Sequence, residues 1–163
     1  SIQKYMFPSS WEMIKDDRLN AVIKSDILRY ELLRMFGGIY LDTDVEVLKP
    51  FTNFLHLPFF CGRESGDNTG SAVLGSIPFH PATHKMLEEI SKNYREKGIP
   101  QTSYEQLIFG GPELLTRVLK GFPTVSIFDS NVLYPAQKQE APSTIHHFAG
   151  CKTKAGWTYK LDK

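Results

Sequence analysis

The sequence predicts a single α/β domain built on a mostly parallel or mixed sheet. Three observations carry that expectation. Segments with apolar residues at helical spacing alternate with short apolar runs of strand character. Glycine and proline punctuate the joints between them. The chain has 163 residues, enough to bury one core, and contains no repeat, low-complexity tract or long linker that would divide it.

Residues 20–36, NAVIKSDILRYELLRMF, set Ile23, Ile27 and Tyr30 on one helical face, with Leu28, Leu32 and Met35 beside them. Asn20 suits the N-cap, and Gly37 supplies the backbone freedom that ends such a helix. "IYL" then reads as a short strand running into Asp42, and "VEVL" alternates until Lys49-Pro50 stops it. "GRESGDNTGS", residues 62–71, reads as a loop and "AVLG" as the next strand. A second helix is predicted from Pro81 to Lys97, with Thr83, Leu87, Ile90 and Tyr94 along one face and Gly98 as its stop. Ser103 and Gln106 fit a capping box for a short third helix, and Pro112 opens a fourth that Gly121 ends. "TVSIF", "VLYP" and "TIHHF" read as late strands, with "QKQEAPS" as a loop between the last two.

The composition is 41% hydrophobic and 23% charged, with a formal net charge of +1. That balance gives no electrostatic case for nucleic acid or an anionic membrane. Cys61 and Cys151 lie far apart and fit no metal spacing, so buried free thiols and a reducing compartment are expected. No apolar run approaches the ~20 residues that span a bilayer. No signal-peptide pattern is visible, and the abrupt start at "SIQKYMF" is what removal of an upstream segment would leave.

The stretch GGIYLDTDVEVL, residues 37–48, holds the chemistry. Asp42 and Asp44 stand one residue apart at the end of an apolar run. Such a pair serves equally well to bind turn amides or to do chemistry. Two carboxylates this close repel, a cost usually offset by a cation or by protonation of one partner. Mg²⁺ and Mn²⁺ prefer carboxylate oxygens and leave further positions to water and phosphate. The C-terminal end of a strand is also where open α/β sheets place their ligands. Asp26 and Arg29, three apart, share a helical face, with Val22 and Leu33 above and below. Alone they would read as an intrahelical ion pair.

Taken together, SDILRYELLRMFGGIYLDTDVEVLKPF resembles the sugar-nucleotide-binding region of the DXD-containing glycosyltransferases, a group that includes mannosyltransferases and capsular polysaccharide sugar transferases. The pattern Asp-x-x-Arg-Tyr, then Gly-Gly-x-Tyr-x-Asp-x-Asp, is filled by Asp26, Arg29, Tyr30, Gly37, Gly38, Tyr40, Asp42 and Asp44. The resemblance implies a GT-A fold forming one catalytic domain over residues 1–163, with the similarity covering about 20–150 and the N-terminal, base-binding part shortened or missing. In that part Trp11 or Tyr5 could stack on a base, although core packing is the commoner aromatic role.

By the same resemblance, Asp42 and Asp44 are the catalytic pair and Asp44 is the direct metal ligand. Asp42 contacts the ribose or donor sugar and the metal shell, and His146 of "TIHHFAG", rather than His147, completes that shell around Mn²⁺ or Mg²⁺. Asp26, Arg29 and Tyr40 bind the donor sugar. So does Gly111 of "GGPELLTRVL", an element in which Gly110 replaces the usual Thr or Ser. The implied reaction moves a hexose from a UDP- or GDP-sugar to a carbohydrate or glycolipid acceptor, with retention. The implied location is cytoplasmic, with peripheral membrane association left open, or the Golgi lumen in a eukaryote. The family's closing tryptophan comes late here, at Trp157 after "CKTKAG".

Two alternatives stand beside this reading. One is a catalytically weak nucleotide-sugar-binding domain. The other is a phosphohydrolase of the haloacid-dehalogenase type with Asp42 as nucleophile, because that motif also follows an apolar strand.

Overall fold

The computed structural model describes residues 7, 10–135 and 143–146. The expectations placed on Tyr5, His147, Cys151, Trp157 and most of the "QKQEAPS" loop lie outside them. The elements in chain order are α1 (Trp11–Lys15), α2 (Ala21–Phe36), β1 (Gly38–Leu41) and β2 (Val45–Val47), followed by a 3₁₀ turn (Phe51–Phe54). Next come β3 (Phe59–Ser65), β4 (Asn68–Ser76), α3 (Pro81–Lys97), α4 (Ser103–Phe109), α5 (Pro112–Leu119), β5 (Ser126–Phe128), α6 (Ser130–Leu133) and β6 (Thr144–His146).

The main sheet is mixed, in the order β1-β4-β3-β5. Its β1–β4 and β4–β3 pairs are antiparallel and only β3–β5 is parallel, so the mostly parallel option does not hold. Alternation along the strands separates two apolar layers. Phe59, Cys61 and Leu74 face α2, α3 and α5, where Ile27, Tyr30, Ile90, Leu114 and Leu115 are buried. Phe60 and Val73 face the other way and pack with Ala72, Leu133, Tyr134 and the rings of Phe51, Phe54 and Phe128. Each such buried aliphatic or aromatic side chain contributes roughly 1.5–3 kcal/mol relative to exposure. Cys61 is buried and free, as expected, and burial pushes its thiol up to about 12.

Three local expectations are corrected. The "loop" at 62–71 is a hairpin: β3 continues to Ser65 and β4 starts at Asn68, leaving only Gly66 and Asp67 at the tip. "VLYP" is not a strand, because residues 130–133 form α6 with Asp129 in the N-cap position. The capping box of α4 is Thr102 with Glu105, one residue earlier than read; Glu105 accepts from the Thr102 amide at 3.1 Å and Thr102 Oγ1 from the Glu105 amide at 3.1 Å.

Two features aim the sheet's upper end. Gly37 (φ 62°) and Gly38 (φ 91°) reverse the chain sharply between α2 and β1, a backbone that side-chain-bearing residues resist. A Cβ on Gly37 would also lie 2.6 Å from Pro78 Cδ. The reversal lays the N-terminal half of α2 beside the C-terminal end of β1. On the opposite face, Gly70 lets the Tyr134 ring lie flat on β4, where a Cβ would sit 2.5 Å from its Cζ. Tyr134 in turn accepts a 2.7 Å hydrogen bond from the Val73 amide. Gly70→Ala is therefore expected to destabilise the fold by about 1–3 kcal/mol through overpacking, measurable by denaturant unfolding. A change within experimental error would show that Tyr134 relaxes freely.

Candidate active site

Arg29 is the hub of the site and is buried on α2. Its Nη1 lies 3.0 Å from Asp26 Oδ1, and its Nη2 donates to Asp42 Oδ1 at 3.0 Å. Tyr40, two residues before Asp42 on the same side of β1, donates its hydroxyl proton to the same Oδ1 at 2.7 Å. Since that proton is engaged, Ser25 Oγ, 3.3 Å away, is the donor to the Tyr40 oxygen. The Arg29 guanidinium also stands 4.7 Å over the Tyr40 ring centroid, a cation–π contact. The Asp26–Arg29 pair is therefore no solvated helix-surface bridge. Its surroundings differ from the reading in one respect: Leu33 is buried below it, but Val22 is 60% exposed. The Arg29 Nε is buried with no hydrogen-bond acceptor among the described residues, an unmet donor in a site otherwise rich in acceptors.

The second cluster shares Asp42. Asp44, in the turn between β1 and β2, lies 3.2 Å through Oδ1 from His146 Nε2. The β2–β6 ladder fixes this approach, with Val45 opposite His146, Glu46 opposite Ile145 and Val47 opposite Thr144. One ligand atom from each of Asp42, Asp44 and His146 lies within 4.8 Å of the other two. Two carboxylates and an imidazole, all partly exposed, suit a hard or borderline divalent ion that keeps further positions for water or phosphate.

Gly111 is the buried N-cap residue of α5. Its neighbour Gly110 is the one against the site, where a Cβ would stand 3.5 Å from Asp26 Cβ. Three contributors escaped the sequence reading. Ser25 supports Tyr40 and was visible only as one residue before Asp26. Glu64 on β3 has its carboxyl raised by burial and by the nearby Asp42. Tyr134 sets its ring edge-on to His146, centroids 6.0 Å apart. Neither Glu64 nor Tyr134 stands in a spaced motif.

Burial pushes the Asp26 carboxyl up to about 6, against the opposing pull of Arg29, with Asp42 adding to the rise. An unfolded aspartate titrates near ~3.9. Between those values the folded chain holds the proton that the unfolded chain has released, so this contribution to stability falls as pH rises through the window and is constant above it. Asp26→Asn stays neutral throughout. It is expected to gain stability relative to the native chain as pH rises from about 4 to 6 and to hold that gain above, as read by thermal melts. A gap that widens toward acid would contradict the assignment.

Residues 3–60 match the family described as "Glycosyltransferase sugar-binding region containing DXD motif". An uncharacterized glycosyltransferase, L373, of Acanthamoeba polyphaga mimivirus is 30% identical over 118 residues, covering 69% of this chain and 46% of the viral protein. The human alpha-1,4-N-acetylglucosaminyltransferase is 33% identical over 102 residues, 60% of this chain and 25% of that enzyme. Inositol phosphoceramide mannosyltransferase 2 of Schizosaccharomyces pombe is 28% identical over 79 residues, 48% and 23% respectively. The chain thus spans less than half the length of these curated relatives. Among solved structures, the PaToxG glycosyltransferase superposes with a TM-score of 0.57 at 21% identity, over 75% of this chain and 43% of that one. The glycosyltransferase domain of the YGT toxin does so with 0.52 at 12%, over 76% and 51%. Both support the glycosyltransferase fold. The segment that holds Asp42 matches a glycosyltransferase sugar-binding region, which favours that reading over the phosphohydrolase alternative. Over residues 3–60 the chain matches the sugar-binding region containing the DXD motif, and it is similar in sequence and in fold to the glycosyltransferases just described.

Proposed function

We propose that this chain is the donor-handling catalytic domain of a metal-dependent hexosyltransferase, which takes its sugar from a UDP- or GDP-sugar and passes it to a carbohydrate or glycolipid acceptor with retention. The observation that carries the reading is the double membership of Asp42. It is held by Arg29 and Tyr40 in the first cluster and grouped with Asp44 and His146 in the second. A site with those two halves suits a ligand with two halves, a hydroxylated sugar and a diphosphate.

In this reading Asp44, His146 and Asp42 hold Mn²⁺ or Mg²⁺, which when bound supplies Lewis-acid stabilisation of the diphosphate leaving group. Arg29 keeps the Asp42 carboxylate oriented. Asp26 accepts from a donor-sugar hydroxyl, and the unmet Arg29 Nε favours a further acceptor nearby. Tyr40 locks the shared oxygen, and Gly110, beside Asp26, lets the start of α5 at Gly111 lie close to the sugar. Among the described residues no helix is long and apolar enough to cross a membrane.

Calorimetric titration of a panel of UDP- and GDP-sugars, with Mn²⁺ and with excess chelator, tests the proposal. At least one sugar nucleotide is expected to bind with the ion and to lose that binding on chelation. Asp26→Ala is expected to weaken the sugar nucleotide by roughly 1.5–3 kcal/mol, the worth of a charged hydrogen bond, and the bare nucleotide diphosphate far less. Equal affinity with and without chelator, or equal losses for both ligands, would retire the respective role.

A further inference from the structure

Large hydrophobic side chains that face water are ordinary when scattered. Here they gather. Among the described residues, five of the ten exposed ones, Leu32, Phe36, Leu55, Ile77 and Phe79, lie at or within a turn of one end of the fold, where α2 finishes, β1 and β3 begin and β4 stops. The sheet register sets Gly38, Ser76 and Phe59 side by side there. Backbone contacts tie the pieces together. The Phe79 amide donates to the Arg34 carbonyl at 2.7 Å, and the Ile77 amide to the Pro58 carbonyl at 2.9 Å. Phe36 and Phe79, 60% and 64% exposed, flank the first contact; Leu55 and Ile77, 64% and 48% exposed, flank the second. Leu32 stands one helical turn before Phe36 on the same face.

The backbone marks the same place. Among the described residues Phe79 is, glycines aside, the one with positive φ, 58°. A bulky residue rarely accepts that conformation, and such outliers gather where a chain works. Burial of the ring does not offset the strain, because the ring faces solvent, with the exposed imidazole of His84 stacked on it at 6.4 Å.

Charge divides the two ends of the sheet. Residues 34–38, 52–58 and 77–86, which build the apolar end, contain no aspartate or glutamate; their charged or chargeable side chains are Arg34, His56, His80, His84 and Lys85. Glu31, one turn before Arg34 on α2, is buried and meets that arginine at 2.8 Å, and Lys85 is paired with Glu88 and Glu89 on α3. Asp42, Asp44, Glu64 and Asp67 stand at the opposite end, past the close of β1 and around the β3–β4 hairpin tip. The formal net charge of +1 conceals this division.

We infer that the apolar end seats on a lipid surface, with Phe36, Leu55, Ile77 and Phe79 entering the interface. Contiguous exposed apolar groups mark protein or membrane contacts, and the charge pattern selects between them. Anionic headgroups repel carboxylates and attract bases, and the segments that build this end offer bases alone. Two copies apposed through it would set those bases against their like. Aromatic and aliphatic side chains at such a boundary bury themselves at the level of the headgroups and upper acyl chains. The acidic end, with the candidate active site, is then turned away from the lipid. Asp42 stands roughly 13 Å along the sheet from the seat, four residues of β1 at ~3.3 Å each.

Co-sedimentation of the full chain with phosphatidylcholine vesicles, with and without phosphatidylserine, tests this. The chain is expected to pellet at least with the anionic vesicles. Phe79→Asn removes the ring while keeping a residue that tolerates the left-handed backbone, and Phe36→Ser shortens an exposed side chain, so both are expected to melt near the native temperature. Each is expected to lower vesicle partitioning by roughly 10-fold, the scale of one ring withdrawn from an apolar phase, and the double variant to abolish it. Leu107→Ser, which alters an exposed leucine on α4, is expected to bind as the native chain does. No pelleting with either vesicle, or a double variant that pellets like the native chain, overturns the inference. So does a lipid-free dimer that the double variant disperses, which would make this end a contact between copies. Vesicle binding needs neither ion nor nucleotide, so its failure leaves the reading of the active site untouched.

Discussion

Asp44→Ala is expected to lose at least ~100-fold in metal-dependent turnover of the sugar nucleotide, the scale of deleting one preorganised electrostatic contact to a developing charge. The reason is geometric. Asp44 sits in the tight turn after β1 and is aligned by His146 at 3.2 Å, so no other described carboxylate is in place to take over its position in the cluster. His146→Ala should act more mildly. It removes one of three ligand atoms and leaves both carboxylates, so the Mn²⁺ concentration for half-maximal activity is expected to rise at least roughly 10-fold while turnover at saturating ion recovers in part. Initial rates across a Mn²⁺ titration separate the two outcomes. Full chelator-sensitive turnover in Asp44→Ala would show that the pair is not the metal site.

Arg29→Ala is expected to be the most damaging substitution for stability among the site residues. Removing one partner of a buried ion pair typically costs about 3–5 kcal/mol, because the other charge stays behind uncompensated. Here two carboxylates are left, Asp26 with a side chain 10% exposed and Asp42 with one 26% exposed. For a chain of this size the loss corresponds to a fall in Tm of roughly 6–20 °C. The pH dependence identifies the cause. Without Arg29 the Asp26 carboxyl rises further above its present value of about 6. The variant then sheds its penalty by protonation, and its deficit against the native chain narrows as pH falls. A deficit independent of pH would point to lost packing of the arginine stem.

The site was more legible in the sequence than parts of the fold that carries it. Asp26, Arg29, Tyr40, Asp42 and Asp44 are spaced by one helix, one reversal and one strand, so local periodicity alone brings them together. His146 was legible only through resemblance, since its approach depends on the β2–β6 ladder and nothing local announces that pairing. The hairpin at Ser65–Asn68 was hidden by its own composition. Its strands are built from small and polar residues that are buried all the same, with Gly62 and Gly70 against the Tyr134 ring, so the apolar alternation that marks a strand is missing. "VLYP" has strand-like residues, but Leu133 and Tyr134 are buried by a helical turn that presents both to the sheet, a case of packing overriding propensity. The capping box slipped by one because Thr102–Glu105 and Ser103–Gln106 both satisfy the pattern. The glutamate prevails, since a charged acceptor serves the amides of both Gln101 and Thr102.

The β2–β6 ladder also has a consequence for how the protein comes into being. Asp42, Asp44 and β2 leave the ribosome ~100 residues before β6, the strand that pairs with β2, and non-local pairings of this kind form late. A nascent chain can therefore complete its α2–β1 reversal and its main sheet while the cluster of Asp42 and Asp44 still lacks His146. On the proposed reading, capture of a divalent ion would then be a closing event of biosynthesis, timed by the arrival of Thr144–His146. A polypeptide released short of that strand would keep its donor-facing arginine and aspartates yet hold metal weakly. Stalled chains of increasing length should accordingly gain tight Mn²⁺ binding in one step, when residue 146 clears the exit tunnel.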